Sequence, residues 1–487
     1  MEKVERGGET PRLRSQVGGG HKRRRTRGVV WFALLLCFVY RFCLPWQYRA
    51  SLEQQTQCPT LPIVTDDILV VLRTGATEAL EKLPVHFQTT LRCVSDYILY
   101  SDLDEEIAGH HVNDVFEGSV SERLRKSPYA AQEFALYERI RTQGRQDIAN
   151  ESLGDHRGSG PLGAQDNPAW KLDRFKFLPM VDKALKHRPS AKWFAFVEAD
   201  TYPVWNSWVS YLTLFNATLP LYIGRQMSIG DVIFAHGGSG FVLSNPAMRR
   251  VVQQRETHPT YYDDYTAANW AGDMVLGKIL ADADVPLFWA FPQFQGDPVN
   301  ALDVNAVEIG RPLWCYASMT YHHMHESKIR RLSTWEMSRA AHPQGGNTTL
   351  THGEVFKQFI LPRLKLKMEG WDSFSMDFET DPTSSLSFES CKAACEARST
   401  CLQFSYAITA SGATCSTSTH VVLGEAATRP CIEYSSSANK CIRWRDDGVD
   451  GESAGPMQSG WMLHRINSYV EVMDKMCNGT EMGKWIV

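Results

Sequence analysis

Beyond its first 27 residues this chain lacks net positive charge. Those residues carry nine Lys or Arg (Lys3, Arg6, Arg12, Arg14, Lys22, Arg23, Arg24, Arg25, Arg27) against three Glu, a net of +6. The whole 487-residue chain totals −4, so the remainder stands at −10 (−4 − 6), which argues against nucleic acid as a partner of the folded part. Cys-X2-Cys spacing is absent as well: Cys391-X3-Cys395-X5-Cys401 has no nearby His pair, which favours disulfides over zinc. No internal repeat or coiled-coil heptad is present. Long apolar runs are rare, and the one that exists, Gly28 to Tyr40, is not followed cleanly by a small-residue cleavage site.

What is present is a chain that is 43% apolar and long enough for a large core, with room for two domains. The run from Gly28 through Arg41 to Trp46 reads as a membrane anchor. Its uncharged part is shorter than the roughly 20 residues of a usual span, but Arg41 can snorkel and Trp31, Tyr40 and Trp46 suit the interfaces. The basic flank on its N-terminal side places residues 1–27 in the cytosol and the body in the lumen, and a short span fits a Golgi-type membrane. Ten cysteines beyond the span and sequons at Asn150, Asn216, Asn347 and Asn478 agree with an oxidising lumen.

The expected organisation is a basic tail (1–27), an anchor (28–46), a polar stem (47–66), an α/β domain (67–365), a small module (366–470) and a C-terminal tail (471–487). In the α/β domain, Ile68 to Leu72 is the first core strand and runs into Arg73-Thr74-Gly75. A helix is expected over 78–93, a second strand over 97–100, and a crossover helix over 170–187. Gly- and Ser-rich residues from about 150 to 168 form a polar insertion. The module holds six cysteines and one helical stretch, Phe388 to Ala397, which marks a disulfide-linked, β-rich unit.

Four segments carry candidate chemistry. Trp193 to Val197 is apolar on both faces, a central parallel strand, and it ends in Glu198-Ala199-Asp200. Ligands collect beyond such strand ends, and acids two apart point the same way, so both could meet one hard cation. His236-Gly237-Gly238-Ser239-Gly240 is neither a dinucleotide fingerprint nor a Walker loop, but lets backbone approach a ligand closely. Asp273 stands at the start of an amphipathic helix, where it is either an N-cap or a general base. Thr320-Tyr321-His322-His323 places two histidines in an extended stretch, where alternation lets at most one reach a metal.

In order, strand-Thr-Gly, E-A-D-T-Y, G-G-S-G-F-V-L-S, G-D-M-V-L-G and T-Y-H-H resemble the Fringe-like glycosyltransferases of family 31, including core 1 β-1,3-galactosyltransferases, over residues 67–335. The resemblance implies a GT-A (Rossmann-like) fold, a UDP-sugar donor such as UDP-galactose, Mn2+, inversion at the anomeric carbon, and a glycan or glycoprotein acceptor such as an N-acetylgalactosaminide. Glu198 and Asp200 fall on the family's acidic metal motif, with Glu198 a departure from its usual Asp, and His322 on its late metal-binding histidine. Asp273 matches the catalytic acid, though Gly272 replaces the acid before it. Thr74 and Gly75 would border the nucleotide, and Gly237, Gly238 and Gly240 the sugars. The C-terminal module, with Cys391, Cys395, Cys401 and Gly460 to His464, resembles PAN/apple domains and implies a protein- or glycan-binding appendage. A lumenal lectin-like protein that kept the fold without catalysis, and a metal-dependent phosphate-ester hydrolase, are the competing readings.

Overall fold

The computed structural model describes residues 67–144, 168–340, 349–409, 412–427, 431–435, 440–444, 457–477 and 482–487. The tail, anchor and stem, nearly all of the polar insertion, and the sequons at Asn150, Asn347 and Asn478 lie outside them. Among the described residues no helix is long and apolar enough to cross a membrane.

An eight-stranded mixed sheet organises the chain. Its strands are β1 (Ile68–Arg73), β2 (Tyr97–Ser101), β3 (Glu105–Ile107), β4 (His110–Asp114), β5 (Trp193–Glu198), β7 (Tyr222–Gly224), β10 (Phe241–Ser244) and β11 (Leu287–Trp289). Three short strands, β6 (Tyr202–Pro203) and the β8–β9 hairpin (Gln226–Ile229 and Val232–Ala235), lie outside it. Across the sheet the order is β11, β7, β10, β5, β1, β2, β4, β3. Strands β5, β1, β2 and β4 are mutually parallel, while β10 runs antiparallel between β5 and β7. The continuous apolar runs of β1 and β5 explain their central place: all of β1 is buried, and so is β5 up to its final glutamate. Each such Val, Leu, Ile or Phe contributes about 1.5–3 kcal/mol by burial, and only a sheet covered on both faces uses all of them.

Helices cover both faces. The helix Ala79–Gln88 joins β1 to β2, and Phe177–His187 precedes β5. The single crossover helix expected over 170–187 is two helices, Pro168–Asp173 and Phe177–His187, with a turn between them that presents Asp173 and Lys176. The Val232–Ala235 strand is not in the main sheet. It pairs only with Gln226–Ile229, and Ile233 is 45% exposed.

The C-terminal module is a five-stranded antiparallel sheet carrying the helix Phe388–Ala397, tied by Cys391–Cys415 and Cys395–Cys401. Its own small core centres on those cysteines, Phe404 and Met462, but Leu402, Val421, Leu423, Trp461, Ile466 and Met473 belong to a larger core shared with Tyr202, Trp314, Tyr321 and Phe356. The described residues after 470 are built in. The helix Leu463–Met476 is tied by Cys477 to Cys315, Trp485 stacks on Tyr211 at 5.4 Å, and the Tyr211 hydroxyl donates to Ile486 O at 2.7 Å.

Candidate active site

The carboxyl end of β5 gathers the site. Register pairs Arg73 with Glu198 across the parallel β1–β5 ladder, and the buried Arg73 guanidinium binds both Glu198 and Asp173 while lying 4.2 Å above the Phe177 ring. Burial opposes ionisation of Glu198, yet Arg73 overcomes it and holds the carboxyl at about 2. After the strand the chain turns sharply. Ala199 N donates to Arg73 O at 3.0 Å, Thr201 N to Glu198 O at 3.0 Å, and His86 Nε2 lies 2.7 Å from Ala199 O. A carbonyl can only accept, so His86 carries its proton on Nε2, and Nδ1 receives the Thr90 hydroxyl at 2.6 Å.

Asp200 projects from this turn with one oxygen on each of two partners. Its Oδ2 meets Lys82 Nζ at 3.2 Å and its Oδ1 meets His322 Nε2 at 3.2 Å. Burial alone would raise Asp200 toward its neutral form, but Lys82 and His322 hold it well below the usual carboxylate range. Burial likewise works against a charged His322, and Asp200 with Glu198 outweighs it, raising the imidazole to about 9. Lys82 also binds Glu78 Oε2 at 2.6 Å, and Glu78 Oε1 accepts Gly75 N at 3.3 Å and the Thr74 hydroxyl at 3.3 Å. One network thus runs from the Thr74–Gly75 turn to His322. Lys176, buried, closes the turn from the other side by donating to Thr74 O at 2.9 Å and Asp102 Oδ1 at 2.8 Å.

The glycines serve different ends. A Cβ on Gly238 would lie 2.2–2.6 Å from the His322 ring, so that glycine makes room for the imidazole. Gly240 adopts φ +75°, a left-handed conformation, and its α-carbon faces Phe196 O. A Cβ on Gly237 would stand 3.3 Å from Glu198 Oε1 and 3.4 Å from Asp273 Cβ, which brings the acidic turn and Asp273 to the same loop. At Gly75 an added Cβ would meet nothing closer than 3.7 Å, so the chain's own packing does not demand that glycine.

Asp273 does not cap its helix. The N-cap position is Ala271, and Asp273 instead accepts Gly237 N on Oδ2 at 2.8 Å and Met274 N on Oδ1 at 2.9 Å. Burial raises its pKa to about 6, a value suited to a base near neutral pH. The glycine before it is steric: a Cβ on Gly272 would come within 2.4–2.7 Å of Phe177 and the Arg174 backbone, which leaves no room for an acid there.

Strand alternation between His322 and His323 does not hold. His323 has φ +54°, which breaks the extended geometry and swings its ring to 3.8 Å from that of His322. Asp200, His322 and His323 each offer a ligand atom within 4.8 Å of the others, whereas Glu198 is outside that group and engaged by Arg73. Arg73, Glu78, Lys82 and Asp173 escaped the sequence reading. Their partners are up to 125 residues away, and the only local sign was a basic residue closing an otherwise apolar strand.

The donor set of Asp200 with one or two imidazoles fits a divalent cation, and a buried, unpartnered Nδ1 on His322 leaves that ring incompletely satisfied by the chain. A family model described as Fringe-like matches residues 63–337. No curated protein matches the chain.

Proposed function

The chain belongs to the Fringe-like family of glycosyltransferases, and from that premise we propose that it is an inverting transferase moving a sugar, galactose in β-1,3 linkage, from a UDP-sugar to a glycan or glycoprotein acceptor such as an N-acetylgalactosaminide. The observation that carries the reading is the meeting, at one glycine loop, of a carboxylate–imidazole pair (Asp200, His322) and a second, independently held carboxylate (Asp273).

Asp200 and His322 would hold a divalent cation, Mn2+, which when bound supplies Lewis-acid stabilisation of the departing diphosphate. Lys82 orients Asp200 by occupying Oδ2 and leaving Oδ1 toward His322. The Thr74–Gly75 turn, open at Gly75, takes the nucleotide edge. Asp273, fixed by two backbone N–H groups, receives the proton of the acceptor hydroxyl on a carboxylate oxygen as that hydroxyl attacks. Residues 28–46 would anchor the protein in a Golgi-type membrane with the body lumenal, and the C-terminal unit would act as a PAN/apple-like binding appendage.

The occupied state of both acids, Glu198 by Arg73 and Asp200 by Lys82, favours one alternative, a non-catalytic glycan- or protein-binding member. Transfer and donor hydrolysis by the full chain across a panel of UDP-sugars, with Mn2+ or chelator, separates the two. Turnover of one donor identifies the enzyme and its sugar, while UDP binding with no turnover of any donor, whichever acceptors are supplied, supports the alternative.

A further inference from the structure

We propose that the cation of this site is held by Asp200, His322 and His323, that Arg73 keeps Glu198 out of the coordination, and that the resulting two-imidazole, one-carboxylate set prefers Co2+ or Zn2+ to Mg2+. The inference rests on the metal-dependent reading above and departs from an acidic pair as the ligand core.

Three observations carry it. Ligand atoms of the three residues lie within 4.8 Å of one another, and the 3.2 Å between Asp200 Oδ1 and His322 Nε2 is close to the roughly 3 Å that separates adjacent ligands about 2.1 Å from one ion. His322 is only 5% exposed and its Nδ1 lacks a partner, so the chain leaves this buried ring incompletely satisfied. His323 has a left-handed backbone, φ +54°, that brings its ring to 3.8 Å from that of His322, and Met324 N ties the turn to the backbone of the acid by donating to Asp200 O at 2.8 Å.

Glu198 is differently placed. Its partner Arg73 is buried, shared with Asp173 and stacked on Phe177, so freeing the carboxylate would leave the buried guanidinium with Asp173 as its remaining carboxylate. Glu198 Oε1 is taken by Arg73, and its Oε2 stands 3.7 Å from His322 Nε2, beyond hydrogen-bond reach. Imidazole nitrogen favours the later first-row ions, whereas Mg2+ prefers oxygen throughout.

The test is a titration of the chelator-treated full chain with Co2+, read from visible absorption and by competition with Mg2+, with a melting curve for each variant. His323→Asn, which tolerates the left-handed backbone, is expected to weaken Co2+ at least about tenfold, and Glu198→Gln to change it by less than about twofold. His323→Asp is expected to restore binding while moving preference toward Mg2+ and Mn2+. Loss of Co2+ affinity in Glu198→Gln with none in His323→Asn overturns the assignment. Absence of any Co2+ binding to the native chain overturns it together with the metal centre, and sugar transfer that persists under chelation would then show the transferase reading standing without either.

Discussion

Asp273 owes its chemistry to being half-buried beside a glycine backbone rather than to its place on a helix. Asp273→Asn keeps the shape and one of the two backbone contacts, its amide oxygen still accepting an N–H while its NH2 cannot, so UDP affinity is expected to persist while turnover falls by about 10²–10⁴, as for loss of a general base. In the native protein a base near 6 must be ionised to work. The acidic limb of kcat/KM is therefore expected to fall as pH drops through about 6 and to vanish in the variant, whose residual rate should be flat there. Gly238→Ala tests the other half of the site. Its methyl would enter the His322 ring, so metal affinity is expected to fall at least about tenfold, and a calorimetric titration with unchanged affinity would contradict the packing. Such contacts were not legible in sequence. Gly272 reads as a missing acid until the Arg174 backbone is seen against it, and His323 reads as facing away until its positive φ is known.

At the scale of elements, the parallel core was legible because strands buried on both faces are apolar at every position, and β1, β2 and β5 fall where those runs fall. The helix Phe388–Ala397 was legible from its spacing. Val232–Ala235 was not, since a four-residue apolar run does not reveal whether it pairs with a central strand or with its own hairpin neighbour. The last residues were also opaque, being short, and only tertiary packing makes them structural. Trp485 is 8% exposed on Tyr211, and Ile486 N donates to Gln293 Oε1 at 3.0 Å. Trp485→Ala should lower stability by about 3 kcal/mol in a denaturant titration, and a loss under about 0.5 kcal/mol would mean the C-terminal segment is not docked.

For the whole molecule, the shared core makes the C-terminal unit part of the catalytic body. A fragment ending at residue 365 would leave Trp314, Tyr321 and Phe356 without Trp461, Ile466 and Met473, and it is expected to show no cooperative melting transition. Acid should act through buried histidines. Burial lowers His86 and His352 to about 4, outweighing the carbonyl partners that favour their charged forms. Between their unfolded value near 6.5 and about 4 the unfolded chain binds protons that the native one does not. Stability should thus fall as pH drops through that window, by up to roughly 3 kcal/mol for each, and midpoints measured from pH 7 to 4 will check it.

The Cys315–Cys477 bond ties the segment just before Thr320 to the far end of the chain, across 162 residues. During synthesis at about 5–20 residues per second, roughly 8 to 32 seconds pass between Cys315 and Cys477. The histidine-bearing loop must wait for that partner, so a ribosome that stops early releases a chain whose sheet can form but whose catalytic corner cannot be fastened.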